Sequence, residues 1–198
     1  RQRQMCIRDR RIALELYLKR AIIGGTEKVY EIGRIFRNEG VDSSHAPEFT
    51  MLEAYESWGD QTSIAQMTQR LIVDAADAVG SRQVVVDGVE IDLDGEWRWA
   101  PFYPTLSEAT GEELTVDTER SVLERIAAAH ELEVDDAWVD HKLAMELFEH
   151  IVEPTLVQPT FVCDYPAIAQ PLARPHRSEP GLIEAWDLII GGMERGPG

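Results

Sequence analysis

Residues 36–56 read FRNEGVDSSHAPEFTMLEAYE, and this stretch decides the fold. It links two longer segments, KVYEIGRIFRNE and EFTMLEAYESW, that are rich in β-branched and aromatic residues, as strands are. A polar loop of residues 40–47 joins the two segments. The pattern predicts a β-hairpin that carries charged side chains where a hairpin core is usually apolar.

Side chains on a strand alternate between faces, so one face of the second strand carries Phe49, Met51, Glu53 and Tyr55. On the first strand, Arg37 shares a face with Glu39. If the two sets face the same way, Arg37 suits a phosphate and Phe49 a flat base, while Glu53 and Tyr55 offer an anion and a hydroxyl to a cation. The alternative is that arginine and glutamate side chains pair across the strands on a solvated face.

Helices and further strands follow the hairpin. Helical periodicity predicts helices at RIALELYLKRAII, from the N-cap Asp60 to Gly80, at ERSVLERIAAAHEL and at HKLAMELFEHIV. Strand signals comprise a hairpin at Asp87-Gly88, an edge strand with Trp97, Trp99, Phe102 and Tyr103 around Pro101, and buried strands at PTFVCDY and AWDLIIGG. We interpret both tryptophans as core and the loop arginines Arg174 and Arg177 as solvated. The order predicts an α+β fold with a largely antiparallel sheet flanked by helices.

Composition is that of a globular domain, with 44% hydrophobic and 28% charged residues and a net charge of −17. Residues 1–50 hold ten basic against seven acidic side chains, whereas residues 51–198 hold nine against twenty-nine. This acidic bulk argues against sequence-independent nucleic-acid binding and suits a cationic substrate, although acidic residues also simply keep proteins in solution. No apolar run is long enough to span a membrane, and we expect a cytoplasmic protein.

Phosphate binding, if it occurs, has to use side chains, because the chain has neither a G-x-G-x-x-G nor a Walker-type loop. The two cysteines, Cys6 and Cys163, have no histidine or cysteine neighbours at zinc spacing, and we expect inert thiols.

The hairpin and the sequence around it closely resemble motif 2 of the class II lysyl-tRNA synthetases. The matching stretches are ELYLKRAIIGGTEKVYEIGR, the hairpin itself, KLAMELFEHIVEPTLVQPTFVCDYP, PLARPHRSEPG and WDLIIGGMER, in the order that the family keeps. The related asparaginyl and aspartyl synthetases share the F-R-x-E element but not PEFTMLE followed by tyrosine. The resemblance runs with gaps from about Arg11 to Glu194, and it implies the antiparallel class II synthetase fold.

For ATP, the resemblance implies four residues. Arg37 is the catalytic residue, which grips the α-phosphate while the lysine carboxylate attacks it. Glu39 takes the adenine edge, His45 reaches the distal phosphates, and Phe49 stacks on adenine.

For lysine and metal, the resemblance implies that Glu53 and Tyr55 hold the side-chain ammonium and that Glu15 takes the α-ammonium. Asp187 and Glu194, seven positions apart, stand where the family keeps carboxylates that hold Mg²⁺ against ATP. Without the resemblance, Glu15 reads as an exposed helix residue and the two later acids as unrelated surface groups.

Both ends depart from the family. Residues 1–10 predict a non-native or disordered leader, and residues 11–198 a partial catalytic domain without the anticodon-binding domain, motif 1 or motif 3. The C-terminal GGMERGPG begins like the family pattern and then leaves it. We therefore expect a fold that is incomplete at both ends and inactive alone, with Asp187 and Glu194 on a strand that lacks one neighbour.

The predicted function is activation of lysine by ATP to lysyl-adenylate, followed by transfer to tRNA(Lys), with ATP and Mg²⁺ as cofactors and a homodimer as the complete enzyme. Two alternatives stay open. One is a paralogue that passes lysine to another acceptor, either in a lysyl-phosphatidylglycerol fusion or as an elongation-factor modifier. The other is a non-catalytic binding module.

Overall fold

A computed structural model describes residues 10–38, 46–86, 88–170 and 172–198. The chain divides into two compact units, Arg1–Gly59 and Asp60–Gly198, here called the N-terminal and C-terminal units. Residues 1–9 of the predicted leader lie outside the described residues, as do Glu39 and His45. Arg10 is exposed, and its guanidinium lies 5.6 Å from the centre of the Phe36 ring.

The N-terminal unit consists of one helix and the predicted hairpin. Helix α1 spans Glu15–Ile23, and strands β1 and β2 span Lys28–Phe36 and Glu48–Glu56. The strands pair antiparallel over their whole length, from Lys28 opposite Glu56 to Phe36 opposite Glu48. The hairpin prediction is confirmed.

One face of the hairpin, here called the inner face, packs against α1 and the residues that precede it. Its small core consists of Leu14, Leu18 and Ile35, all buried. Partly buried side chains surround this core: Val29, Phe49, Met51 and Tyr55. The opposite face exposes Tyr30, Ile32 and Leu52 to solvent.

The C-terminal unit contains four helices and six strands within the described ranges. The helices are α2 (Gln61–Val79), α3 (Phe102–Thr110), α4 (Arg120–Ala129) and α5 (Asp140–Ile151), with a short 3₁₀ turn at Glu153–Thr155. The strands are β3 (Gln83–Val86), β4 (Val89–Asp92), β5 (Arg98–Pro101), β6 (Thr160–Cys163), β7 (Trp186–Ile189) and β8 (Glu194–Pro197). β3 and β4 form the hairpin predicted at Asp87-Gly88.

The four-stranded sheet of this unit has the order β5-β6-β7-β8. Its β6-β7 and β7-β8 pairs are antiparallel, whereas the edge strand β5 runs parallel to β6. The α+β prediction is confirmed. The expectation of a strand lacking a neighbour is wrong for Asp187, because β7 is paired on both sides. Glu194 begins β8, which is an edge strand of the described sheet and pairs with β7.

Helix α2 begins and ends as its sequence predicts. The Asp60 side chain accepts hydrogen bonds from the amides of Thr62 and Ser63, and the Ser63 hydroxyl accepts one from the backbone amide of Asp60. At the other end Gly80 takes a left-handed conformation, φ 89°, that side-chain-bearing residues rarely adopt.

The prediction that Phe102 and Tyr103 belong to an edge strand is wrong. The strand stops at Pro101, and α3 starts at Phe102. Pro104 fits the first turn of this helix because the first backbone amides of a helix have no intrahelical acceptor. Aromatic residues beside a proline are a local strand signal, which explains the wrong prediction. In the structure Phe102 stacks on Phe148 of α5, and this packing favours the helix.

The core of the C-terminal unit consists of two apolar clusters, one that includes Phe102 and Leu143 and one that includes Trp97 and Phe161. Trp97 is buried as predicted, but Trp99 is 40% exposed and rests against Phe161.

Arg177 was predicted to be solvated. Its side chain is 55% exposed, as predicted, and it also pairs with Glu184, Nε to Oε1 at 2.7 Å, and with Asp60 at 3.4 Å. No helix within the described ranges is both long and apolar enough to cross a bilayer.

We expect Asp60→Ala to lower the free energy of unfolding by about 1 kcal/mol, because the substitution removes the N-cap of α2. Asp60→Asn is the matched variant: asparagine keeps the cap and loses only the exposed contact with Arg177, so its effect should be less than half as large. Urea denaturation followed by circular dichroism measures both. Equal losses would show that the ion pair, and not the cap, carries the stabilisation.

Candidate functional site

Glu53 occupies the centre of the inner face of the hairpin. One carboxylate oxygen, Oε1, accepts a hydrogen bond of 3.0 Å from the backbone amide of Leu14, just before α1. The other, Oε2, accepts one of 3.0 Å from the hydroxyl of Tyr55. Both donors are neutral, and in the described part of the chain no lysine or arginine forms an ion pair with Glu53. The carboxylate is therefore fixed in position while its charge is left for a ligand.

Tyr55 is held in the same arrangement. Burial, and then the hydrogen bond to Glu53, raise the pKa of its phenol above the ordinary value, so the hydroxyl stays a donor. The ammonium of Lys19 on α1 lies 5.8 Å from the centre of the Tyr55 ring. This closeness shows that the Tyr55 side of the inner face already accommodates a cation.

Arg37 lies one residue past the end of β1. Its Nε donates to the carbonyl oxygen of Ile12 at 3.3 Å, and its guanidinium lies 5.4 Å from the centre of the Phe49 ring. Its backbone amide donates to Pro47 across the start of the loop, at 3.1 Å. The structure thus brings Arg37 and Phe49 together, as the prediction of phosphate-binding and base-binding side chains on one face of the hairpin requires.

Glu15 is the first residue of α1, and its carboxylate forms an ion pair with Lys19 one turn later. The predicted role for Glu15, holding an α-ammonium, therefore requires a ligand that competes with Lys19. Exposed pairs of this kind contribute little free energy, so such competition is feasible.

The C-terminal unit has a cavity of about 80 Å³ that is lined by carboxylates and aromatic rings. Its acidic members are Glu149 on α5, Glu153 in the 3₁₀ turn, Asp187 on β7 and Glu194 on β8. Tyr165 lines the same cavity, and Glu153 accepts a hydrogen bond from the backbone amide of Glu194 at 3.2 Å. The structure therefore brings the predicted metal residues Asp187 and Glu194 to one cavity and adds two glutamates to them.

Crowding of carboxylates changes the proton affinity of this cavity. Burial, followed by repulsion from Glu194, raises the pKa of Asp187 to about 7. Burial also raises the pKa of Glu194, of Glu149 and of Glu153. Ionising all four groups is unfavourable without added positive charge.

The donor set fits Mg²⁺, because carboxylate oxygens are the hard ligands that this ion prefers. Within the ranges that the structure describes, no three acidic, histidine or cysteine side chains form a complete metal cage. Mg²⁺ ordinarily takes only one or two protein carboxylates and fills its shell with water and substrate phosphates. Asp187 and Glu194 are compatible with such an open site.

Sequence reasoning missed three residues of this cavity, Glu149, Glu153 and Tyr165, as well as Glu31 on the inner face of the hairpin. Glu149 and Glu153 read as polar positions of an amphipathic helix and its end. The helical spacing of four residues between them was the available signal, since such residues project to the same side.

Burial of Cys163 raises the pKa of its thiol, in keeping with the expected inert cysteine.

We expect Asp187→Asn to stabilise the metal-free chain at pH 8. Folding raises the pKa of Asp187 from 3.8 to about 7, so its proton stabilises the fold fully below pH 3.8, and this stabilisation is lost as the pH rises through 7. Each unit of pKa difference corresponds to about 1.4 kcal/mol. Urea denaturation in chelator from pH 5 to 8 should show the wild-type chain losing stability relative to the variant.

The control for this experiment is Asp136→Asn in an exposed loop, which should follow the wild-type curve. A wild-type chain whose stability relative to Asp187→Asn does not change between pH 5 and 8 would contradict the prediction.

Comparison with known proteins identifies the family of the chain. A family model described as tRNA synthetases class II (D, K and N) matches residues 10–198. The chain is 49% identical to a lysine–tRNA ligase of Kineococcus radiotolerans, 47% to one of Synechococcus sp. and 48% to one of Mycolicibacterium gilvum. These matches cover 95%, 93% and 95% of the chain, respectively, but it spans only 38% of each relative. The resemblance seen in the sequence is confirmed, and the chain belongs to the class II tRNA synthetases of the D, K and N group.

Proposed function

We propose that this chain is the part of a lysine–tRNA ligase that activates lysine with ATP. The observation that carries the proposal is Glu53, a half-buried carboxylate held by two neutral donors, in a family whose matched relatives act on lysine. A single fixed anion beside an aromatic hydroxyl suits the ammonium of a lysine side chain. Glu15 would take the α-ammonium, at the expense of its pair with Lys19.

In the proposed reaction, a lysine carboxylate oxygen attacks the α-phosphorus of ATP. The bond from that phosphorus to the bridging oxygen of the β-phosphate breaks, pyrophosphate leaves, and lysyl-adenylate forms. No general base is needed, because the attacking carboxylate is already ionised at neutral pH. Catalysis then consists of positioning and of stabilising charge at the phosphorus.

Arg37 would supply that charge stabilisation as the catalytic residue. Its hydrogen bond to Ile12 fixes the Nε side of the guanidinium, so little reorganisation is required when phosphate oxygens gain charge. Phe49 would stack on adenine. Glu39 on the adenine edge and His45 on the distal phosphates are proposed from the family resemblance alone.

The acidic cavity would hold Mg²⁺ through Asp187 and Glu194. When bound, this ion would neutralise charge on the ATP phosphates. Transfer of lysine to tRNA(Lys), the homodimer and a cytoplasmic location belong to the proposed whole enzyme.

We expect Glu53→Gln to weaken lysine binding roughly thirtyfold, or by about 2 kcal/mol, and to leave ATP binding within a factor of about two. The loss is smaller than for a fully buried pair because Glu53 is only half-buried. Calorimetry on a chain extended to the length of the relatives measures both ligands. Glu56→Gln on the same strand, which loses only the 2.9 Å pair with Lys28, should bind lysine normally. Equal losses for lysine and ATP would contradict the assignment.

We expect Arg37→Ala to slow adenylate formation at least about a hundredfold, as loss of one preorganised donor does. The measurement is lysine-dependent exchange of pyrophosphate into ATP, with pre-steady-state rates, in the same extended chain. Arg34→Ala, an exposed arginine of β1, is the control and should retain the wild-type rate. No exchange in the unmutated extended chain would overturn the proposed function itself.

A further inference from the structure

The inner face of the hairpin carries a second carboxylate beside Glu53. Glu31 of β1 is the register partner of Glu53 of β2, so the two side chains leave the hairpin on the same face. Side chains in such directly opposed positions have Cβ atoms about 5 Å apart, and like charges there destabilise the pair. Two adjacent anions on one face of a hairpin repel each other unless a cation neutralises one of them.

Arg11 provides a difference between the two carboxylates. Its guanidinium forms an ion pair with Glu31, whereas among the described residues the hydrogen-bond donors to Glu53 are the amide of Leu14 and the hydroxyl of Tyr55. One member of the cross-strand pair is thus neutralised by a cation of the chain, and the other is fixed without neutralisation. The charge left on this part of the inner face is that of one carboxylate.

The backbone around Arg11 is tied to the same residues. The carbonyl oxygen of Arg11 accepts from the amide of Phe36 at 2.8 Å, and that of Ile12 accepts from Arg37. Two residues later, Leu14 donates to Glu53. A shift of Arg11 is therefore transmitted to the carboxylate proposed to bind lysine.

We propose that Arg11 is a positioning residue for lysine recognition: by pairing with Glu31 it keeps Glu53 as the single uncompensated anion, seated on the amide of Leu14. This inference rests on the proposed function of Glu53 as the ammonium-binding residue. Arg11 itself does not touch the ligand. Its effect is on the charge and the placement of Glu53.

The test is a double-substitution cycle with a matched control. Arg11→Gln leaves Glu31 unpaired opposite Glu53, and Glu31→Gln frees Arg11 to turn toward Glu53. The double variant Arg11→Gln with Glu31→Gln removes both charges and restores the balance. Arg34→Gln is the control, because it breaks the 3.5 Å pair with Glu48 on the opposite face of the same hairpin with the same change in net charge.

Two measurements require no lysine. In the chain labelled with ¹⁵N-leucine, the amide resonance of Leu14, assigned as the one that disappears in Leu14→Met, should move in Arg11→Gln and return in the double variant. Urea denaturation should show Arg11→Gln less stable than Arg34→Gln, with the difference shrinking in 1 M NaCl, where the Debye length is about 3 Å.

Lysine affinity is measured by calorimetry in the chain extended to the length of the relatives. Glu31→Gln should bind lysine about fivefold more weakly, because the released Arg11 then competes with the ligand for Glu53 at the upper end of what an exposed ion pair contributes. Arg11→Gln is assessed by the Leu14 resonance and not by affinity, because the unpaired Glu31 also attracts the ammonium. The double variant and Arg34→Gln should bind as the wild type does.

A double variant no better than Arg11→Gln in the Leu14 resonance and no better than Glu31→Gln in lysine affinity would overturn the inference, since Arg11 would then act only by holding the backbone. Failure of the proposed function has a different signature. The unmutated extended chain would not bind lysine, while the Leu14 resonance and the salt-dependent stability would still report whether Arg11 seats Glu53.

Discussion

The hydrogen bond from the amide of Leu14 to Glu53 is the interaction on which the N-terminal unit depends. A two-stranded hairpin is marginally stable alone, and the buried contacts that support this one come from Leu14 and Leu18 against Ile35. The amide of Leu14 lies at the point where the chain enters α1, so the bond that fixes the carboxylate also fixes the helix. Loss of that bond would affect the binding surface and its support together.

In the N-terminal unit the carboxylate of the proposed site also stabilises the fold. In the acidic cavity of the C-terminal unit, by contrast, the carboxylates of the proposed site destabilise the fold. Four carboxylates around one small cavity repel one another, and burial makes their ionisation less favourable still. A fold selected only for stability would replace at least one of them by an amide or an apolar residue. Their presence is consistent with a bound dication that offsets this repulsion.

Sequence patterns were sufficient for most of the elements and insufficient for the charge partners. The hairpin and α2 were predictable because strand alternation, the Asp60 cap and Gly80 are local signals. The pairing of Arg11 with Glu31 was not, since the residues are twenty positions apart and the pair exists only in one strand register. The helix at Phe102 was missed for the same reason, because its packing on Phe148 overrides the local signal of proline and aromatic residues. For the ligand-facing residues, the family resemblance supplied what local patterns could not.

Comparison of the two sites suggests why their carboxylates are arranged so differently. An ammonium carries one positive charge, and in the proposed function Glu53 would meet it as one anion whose oxygens are held by neutral donors. A second unpaired carboxylate there would repel the first whenever the site is empty, and Arg11 neutralises the one that the strand register provides. A magnesium ion carries two charges, and Asp187 with Glu194 supplies two anions beside two further glutamates. The acidic cavity therefore holds four carboxylates for the proposed dication, whereas on the inner face the ion pair of Arg11 with Glu31 leaves the charge of Glu53 for the proposed ammonium.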